Sequence, residues 1–229
     1  MGATGPTVRN HAEILSATAT FAGREVLEVG CGDGRLLAWL ARHRARPIGL
    51  DPSAPQLKRA RVAAPGVPLV VGRGEALPVA SGRIDLVLYL NSLHHVPLTA
   101  QWQAIVEAAR VLRPGGELLV IEPLPEGDYF ALLRSVDDET DVRNEAFRAL
   151  QAAGALGLIM VLEVRYAMPI IEGSLSSMQA RFLAVDPKRA AAFDRAASEL
   201  ERLFVTLGTP AEGGRAFLQP MRLNLLRRT

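Results

Sequence analysis

Val26-Leu27-Glu28-Val29-Gly30-Cys31-Gly32-Asp33-Gly34 decides how the rest of the chain reads: a short apolar strand passes through one acid into three glycines at every second position. Gly30 and Gly32 carry no Cβ, so the backbone can turn sharply and a ligand can approach main-chain N–H groups that a larger side chain would screen. Glu28 adds a fixed negative charge just before the turn. The stretch points to a nucleotide-type ligand held at a strand end.

Outward from this loop the sequence alternates. Apolar runs of strand length occur at Glu25 to Val29, Pro47 to Leu50, Val67 to Val71, Ile84 to Leu90 and Glu117 to Ile121, each bounded by Gly, Pro, Asp or Ser. Helical patterns fill the gaps. Leu36, Leu37 and Leu40 share one face, Ser53 with Gln56 forms a capping-box signature ahead of Leu57 to Ala64, and Trp102, Ile105, Val106, Ala109 and Leu112 recur at helical spacing. This rhythm predicts right-handed crossovers and a buried parallel sheet. Ligands of such sheets bind beyond the carboxyl ends of the strands, where the glycine loop sits.

Composition narrows the function classes. The 229 residues, 49% hydrophobic, suffice for one α/β domain with a full core and are too few for two ordinary domains. Twenty-six basic against 24 acidic residues leave a net charge of +2, so nothing in the charge asks for a nucleic acid. The single cysteine, Cys31, excludes an internal disulfide and a multi-cysteine metal site. No apolar run reaches the length of a membrane span, and Met1 to Asn10 lacks the basic-then-apolar pattern of a signal peptide, so a soluble cytoplasmic protein without a membrane partner is expected.

Spacing separates the ligand classes. A dinucleotide fingerprint asks for G-x-G-x-x-G, but its third glycine position holds Arg35, and the third glycine falls at Gly34. Glu-x-Gly-x-Gly-x-Gly resembles the first motif of class I S-adenosylmethionine-dependent methyltransferases. Three further segments, in order, resemble the methyltransferase type 11 group: Val71-Gly72-Arg73-Gly74-Glu75-Ala76-Leu77-Pro78 with Gly82 to Val87; Asn91-Ser92-Leu93-His94-His95-Val96; and Arg110-Val111-Leu112-Arg113-Pro114-Gly115-Gly116-Glu117-Leu118. The resemblance covers Glu25 to about Ile121. It implies a Rossmann-like doubly wound sheet of seven strands, mostly parallel with an antiparallel last strand and helices on both faces.

The same resemblance implies S-adenosyl-L-methionine as cofactor and S-adenosyl-L-homocysteine as product, with the cofactor held by Glu28, Gly30, Cys31, Gly32, Asp51, Pro52, Gly74, Glu75 and Asn91. Glu28 is expected at the methionyl amino group, directly or through water. Asp51, about twenty residues beyond the first glycines, can accept from both ribose hydroxyls or cap the helix starting at Ser53. Gly74 and Glu75 are expected along the adenine edge. Arg73 departs from the pattern: an aspartate is expected there to accept from the adenine amino group, and a guanidinium cannot accept. That contact is lost or replaced, with Glu75 as one replacement.

In-line methyl transfer requires positioning and exclusion of water, with no covalent enzyme intermediate. A general base is needed only where the nucleophile loses a proton, and His94 and His95 are the candidate catalytic residues, each also readable as a packing or solvated side chain. Asn91-Ser92-Leu93-His94 lacks the Asn-Pro-Pro-aromatic run of enzymes that hold a flipped base, Cys31 is misplaced for a cytosine nucleophile, and no Asp-Asn dipeptide suggests a metal-assisted site. A small organic acceptor without a metal is expected. Competing classes are a noncatalytic S-adenosylmethionine-binding protein, a nicotinamide-dependent oxidoreductase and a polyamine synthase, the last disfavoured because Asn91 to Val96 carries no carboxylate.

The chain is expected to form one domain over 1–229, with a helical cap at 1–22, a cofactor-binding core at 23–123 and a substrate-side half at 124–229 that carries a helical insertion at about 170–213. Asp137-Asp138-Glu139 reads as a solvated helix entrance, or less simply as a site for a cationic substrate, ahead of a helix from about Asp141 to Ala153. Leu158 to Tyr166 reads as a sixth strand and Ala216 to Leu226 as a seventh. From Asp186-Pro187 an amphipathic helix sets Phe193, Ala197, Leu200, Phe204 and Leu207 on one stripe, ended by Gly208. That stripe either covers the active site or forms a homodimer contact.

Overall fold

The computed structural model describes residues 7–229. In chain order its elements are α1 (His11–Thr18), β1 (Glu25–Val29), α2 (Arg35–Arg42), β2 (Arg46–Asp51), α3 (Ala54–Ala63), β3 (Leu69–Val71), β4 (Ile84–Leu90), α4 (Gln101–Val111), β5 (Leu112–Pro123), α5 (Asp128–Leu133), α6 (Thr140–Ala152), β6 (Leu158–Glu172), α7 (Leu175–Val185), α8 (Ala190–Leu207), β7 (Thr209–Ala211) and β8 (Gly214–Arg228). The strands pair in the order β3-β2-β1-β4-β5-β8-β6, with β7 on β8. The first five are parallel to their neighbours. β8 runs antiparallel to β5, since Leu124 N donates to Pro220 O at one end while the Arg228 guanidinium reaches Leu112 O at the other. The expected seven-strand plan is present with one addition, the short β7, which pairs antiparallel with the start of β8.

Packing divides the chain into two compact units. One comprises Thr18–Glu122, Val142–Val164 and Arg222–Thr229. Its central strand β4 is buried along almost its whole length, as a parallel strand covered on both faces must be. Leu27 and Val29 of β1, Val87 and Tyr89 of β4, and Leu118 and Val120 of β5 share a core with Ile105 and Ala108 of α4 and Leu150 of α6. Leu37 of α2 and Leu57 of α3 belong to a separate cluster around Cys31. Ser53 caps α3 by accepting from Gln56 N, as the capping signature predicts.

Ile105, Ala109 and Leu112 of the expected stripe are buried, but the buried face of α4 is wider and turned away from Trp102. Trp102 is 39% exposed, and the buried positions are Gln101, Ala104, Ile105, Ala108, Ala109 and Val111. The cause is Gln101, whose amide donates to the carbonyls of His94, Val96 and Val142 and so turns its own side of the helix inward. β5 also starts earlier than expected. Arg113-Pro114-Gly115-Gly116, read as a turn before the strand, lies within it as a bulge: Ile84 pairs with Leu112 and Leu86 with Glu117, after which pairing is one to one as far as Leu90 and Ile121.

The other unit comprises Met1–Ala17, Pro123–Asp141 and Arg165–Met221. Of the expected amino-terminal cap, residues 1–6 lie outside the described residues, and the helix occupies only His11–Thr18. β6 and β8 are longer than expected, and α5 and α7 are helices that periodicity did not mark. Two residues of the acidic stretch make local ties: Asp138 accepts from Thr140 N and Oγ1 at the entrance to α6, and Asp137 pairs with Arg189 at 2.8 Å. Phe193, Ala196, Leu200 and Phe204 of α8 pack with Tyr129, Leu132, Met178 and Phe217. Ala196 replaces the expected Ala197, which is exposed, because Leu203 also packs into this cluster and rotates the buried face toward it. The stripe therefore fills this unit's own core, which removes the reason for reading it as an open dimer face.

One close approach fixes α2 against α3. Gly34 has φ 80° and caps α2, and a Cβ there would lie 2.7 Å from Ala60 Cα. Gly82 has φ 67° with open space around the same position. Gly34→Ala is expected to cost about 3 kcal/mol or more from strain and overlap together, and Gly82→Ala about 1 to 2 kcal/mol from strain alone. Equal losses in denaturant titrations of the two variants would refute the overlap.

Candidate functional site

The parallel register brings five strand ends to one edge of the sheet. Val29 sits beside Leu50 and Tyr89, Asp51 beside Val71, and Leu90 beside Ile121. The ends of these strands and the segments that leave them carry all the expected cofactor residues and both histidines. A cavity of about 350 Å³ lined by Arg46, Ile48, Gly66 and Val67 lies at the other edge, where those strands begin.

Local hydrogen bonding in the glycine loop is nearly saturated. Gly30 N and Cys31 N both donate to Leu50 O, Gly32 N to Asp51 Oδ2 at 2.9 Å, Gly34 N to Cys31 O and Arg35 N to Asp33 Oδ1. Gly30, Gly32 and Gly34 all have positive φ, as such turns require. Gly30 is also fixed by packing: a Cβ would fall 2.5 Å from Ser92 Cβ, and Ser92 Oγ donates to Val29 O at 2.6 Å. Only at Gly32 does the missing Cβ face open space within this stretch. A loop whose amides are spent internally, beside Glu28, Asp33 and Asp51, is poorly built to cradle a pyrophosphate.

Glu28 is the unusual member. It is buried, and Oε2 has no hydrogen-bond partner among the described residues. Burial pushes its carboxyl well above the usual range, and the nearby charges of Asp33 and Asp51 push the same way. A buried acceptor in this state calls for a donor, and a cationic one satisfies it best. Cys31 turns its side chain into the cluster with Leu37 and Leu57, so only its main chain borders the loop; burial, then the Glu28 charge, raises its thiol to about 12.

Asp51 is buried at the end of β2, where Oδ1 accepts from Ser53 N at 2.8 Å and Oδ2 from Gly32 N. It ties the glycine loop to the start of α3 and retains lone pairs on both oxygens. Pro52 follows on the surface. Past β3, Ala76 N donates to Arg73 O and closes a tight turn. Gly74 is buried in that turn, where a Cβ would come within 3.3 Å of Tyr89 Oη and Val29 Cγ1. The Arg73 guanidinium, 70% exposed, points to Glu75 at 3.8 Å, so it leaves the aspartate place of the motif empty of an acceptor and sets Glu75 beside it.

After β4 the chain passes through Asn91 at φ 52°, whose N donates to Ile121 O. The following turn is gathered by a residue that the sequence reading passed over. Glu122, buried at the end of β5, accepts from Ser92 N at 3.0 Å, Leu93 N at 2.9 Å and His94 N at 3.3 Å, and from His94 Nδ1. Burial alone would raise the Glu122 carboxyl, but the His94 charge and these hydrogen bonds outweigh it and hold it below the usual range. His94 is buried and His95 exposed, their ring centroids 4.0 Å apart. An acid closing an apolar parallel strand was the available signal for Glu122, as it was for Asp51.

Residues 27–120 match the family model described as a methyltransferase domain. The chain is 36% identical over 127 residues to phthiotriol/phenolphthiotriol dimycocerosates methyltransferase 1 of Mycobacterium ulcerans, covering 52% of this chain and 46% of that one. It is 34% identical over 142 residues to methyltransferase GfsG of Streptomyces halstedii, covering 59% and 48%. The chain thus spans about half the length of the curated relatives it matches. Among solved structures, YcgJ of Bacillus subtilis superposes with TM-score 0.67 at 20% identity over 96% of this chain and 99% of its own, and the [4+2]-cyclase SpnF with TM-score 0.63 at 18% identity over 95% and 79%. The matching segments lie along the carboxyl edge of this sheet: residues 27–120 resemble a methyltransferase domain, and the solved structures share the fold.

Proposed function

We propose that this protein binds S-adenosylmethionine at the carboxyl ends of β1 to β4 and transfers its methyl group to a small organic molecule. The observation that carries this reading is the buried Glu28 carboxyl with an unmet acceptor, in a loop whose amides are already used. Such a site suits a nucleoside that bears cationic groups and no phosphate, which fits S-adenosylmethionine and argues against a nicotinamide dinucleotide. The bound cofactor supplies an activated methyl on a sulfonium. Glu28 would hold the methionyl ammonium, Asp51 the ribose hydroxyls through its remaining lone pairs, and Gly30, Cys31 and Gly32 would border the ligand through their main chain. Pro52, Gly74, Glu75 and Asn91 would flank the nucleoside, with Glu75 standing in for the acceptor that Arg73 does not provide. His94 and His95 lie in the turn that would receive a proton from an O–H or N–H nucleophile.

The cyclase SpnF on the same fold makes a direct assay of transfer the decisive experiment. Incubation with methyl-labelled cofactor and a metabolite extract, followed by mass spectrometry, should yield S-adenosylhomocysteine and one labelled product. Cofactor binding with no label transferred to any extract would refute methyl transfer, and binding of NAD without S-adenosylhomocysteine would refute the cofactor as well.

Glu28→Gln should separate stability from binding. Because the native carboxyl titrates above its unfolded value, the stability it contributes is present in acid and is lost as pH rises through the native value. The variant should therefore match the parent near pH 4 and exceed it in melting temperature at pH 7, while its cofactor affinity falls by about tenfold or more. Calorimetry of the parent in two buffers should show proton release on binding, and no release would refute the ammonium contact. Asp51→Asn keeps one oxygen acceptor but loses the charge. It should weaken cofactor binding by about 1 to 3 kcal/mol, and unchanged affinity would refute the ribose role.

A further inference from the structure

We propose that the amino edge of the sheet carries a second binding site, at the opposite strand ends from Glu28 and Asp51, for a small amphipathic carboxylate. The apolar body of this ligand lies between the starts of β2 and β3, and its head meets Arg46 and Arg83.

The hollow follows from the sequence at two strand starts. Pairing of β2 with β3 begins only at Gly49 and Leu69, so Arg46-Pro47-Ile48 faces Gly66-Val67-Pro68 without a ladder between them. Gly49 N donates to Pro68 O, and the next two bonds of a parallel ladder toward the amino end need the N–H groups of Pro68 and Pro47, which prolines lack. The strands therefore part here and leave the cavity of about 350 Å³, walled by Pro47, Ile48, Val67 and Pro68. Its size falls in the range of pockets that hold small organic ligands. A second hollow of about 230 Å³ shares Glu25 and Arg46 with the first and extends to Arg83, Asp85 and Arg113. One groove thus runs from an apolar end to a cationic end.

Charge selects the head group. Several guanidiniums of this margin are committed to the fold: Arg24 and Arg227 pair with Glu117 at 2.7 and 2.9 Å, and Arg113 pairs with Asp85 at 2.6 Å. Arg46 reaches Glu25 only at 3.8 Å, and the exposed Arg83 guanidinium has no partner among the described residues. Arg46, Arg83 and Arg113 against Glu25 and Asp85 leave one formal positive charge in the groove, which a monoanion cancels and a phosphate dianion exceeds. A carboxylate also matches the planar fork of a guanidinium. The hydrocarbon body gains by leaving water for Ile48, Val67 and the two proline rings, a gain that a bare inorganic anion lacks.

Titration of the nitrogen-15-labelled, ligand-free chain with octanoate tests the site, and no step of it depends on methyl transfer. Amide signals of Ile48, Gly66, Val67, Gly82 and Arg83 should shift together and saturate with Kd below about 5 mM, while those of Gly30 and Gly32 stay in place. Acetate, which lacks the tail, and octyltrimethylammonium, which reverses the charge, should each bind about tenfold more weakly or worse. Arg46→Gln and Arg83→Gln, both at exposed positions, should together weaken octanoate binding by about fivefold or more with the melting temperature unchanged. Shifts that never saturate, or that scatter over exposed aliphatic residues, would show nonspecific adsorption and overturn the proposal. Equal binding of octyltrimethylammonium, or an affinity indifferent to both substitutions, would overturn it as well. Tighter binding of dianionic octyl phosphate than of octanoate would refute the monoanion assignment. Should the double variant unfold, the comparison of ligands on the parent chain still decides.

Discussion

Carboxylates at the ends of buried parallel strands hold this protein's functional edge together. A strand covered on both faces delivers its chain to the edge with main-chain amides that need acceptors, and water is scarce there. Asp51 at the end of β2 takes Gly32 N and Ser53 N; Glu122 at the end of β5 takes three amides of the turn after β4. Each acid ties a loop from one strand to the end of another. Glu28 stands near the end of β1 and has an oxygen with no partner among the described residues. Asp51 and Glu122 spend acceptors on these ties, whereas Glu28 makes none that the described residues show.

The same division explains the glycines. Gly30 and Gly34 are demanded by neighbouring protein, Ser92 and Ala60, with the left-handed backbone as a second requirement. Gly32 alone in the loop has open space where a side chain would stand. The motif is therefore mostly a packing device that leaves one gap.

The parallel half was legible because buried strands read as plain apolar runs: β1 and β4 begin and end where the pattern says they do. Ser53 and Asp51 were legible because caps and strand-end acids are local signals. Glu122 carries the same strand-end signal, but what it holds did not show, since its partners lie about thirty residues away and only the fold brings them together. Trp102 failed for a related reason: periodicity ranks side chains by hydrophobicity, and a buried amide with three carbonyl partners outweighed an indole. α8 was read in nearly the right phase, but its stripe lacked an owner until α5 and α7, which carry weak periodicity, supplied the rest of the cluster.

The bulge in β5 places five residues opposite two at the start of the strand and restores one-to-one pairing before Leu90 and Ile121. The chain thus absorbs its surplus length where the strands begin, and the error does not travel. The opposite margin, with its acids and turns, therefore receives β4 and β5 in strict register.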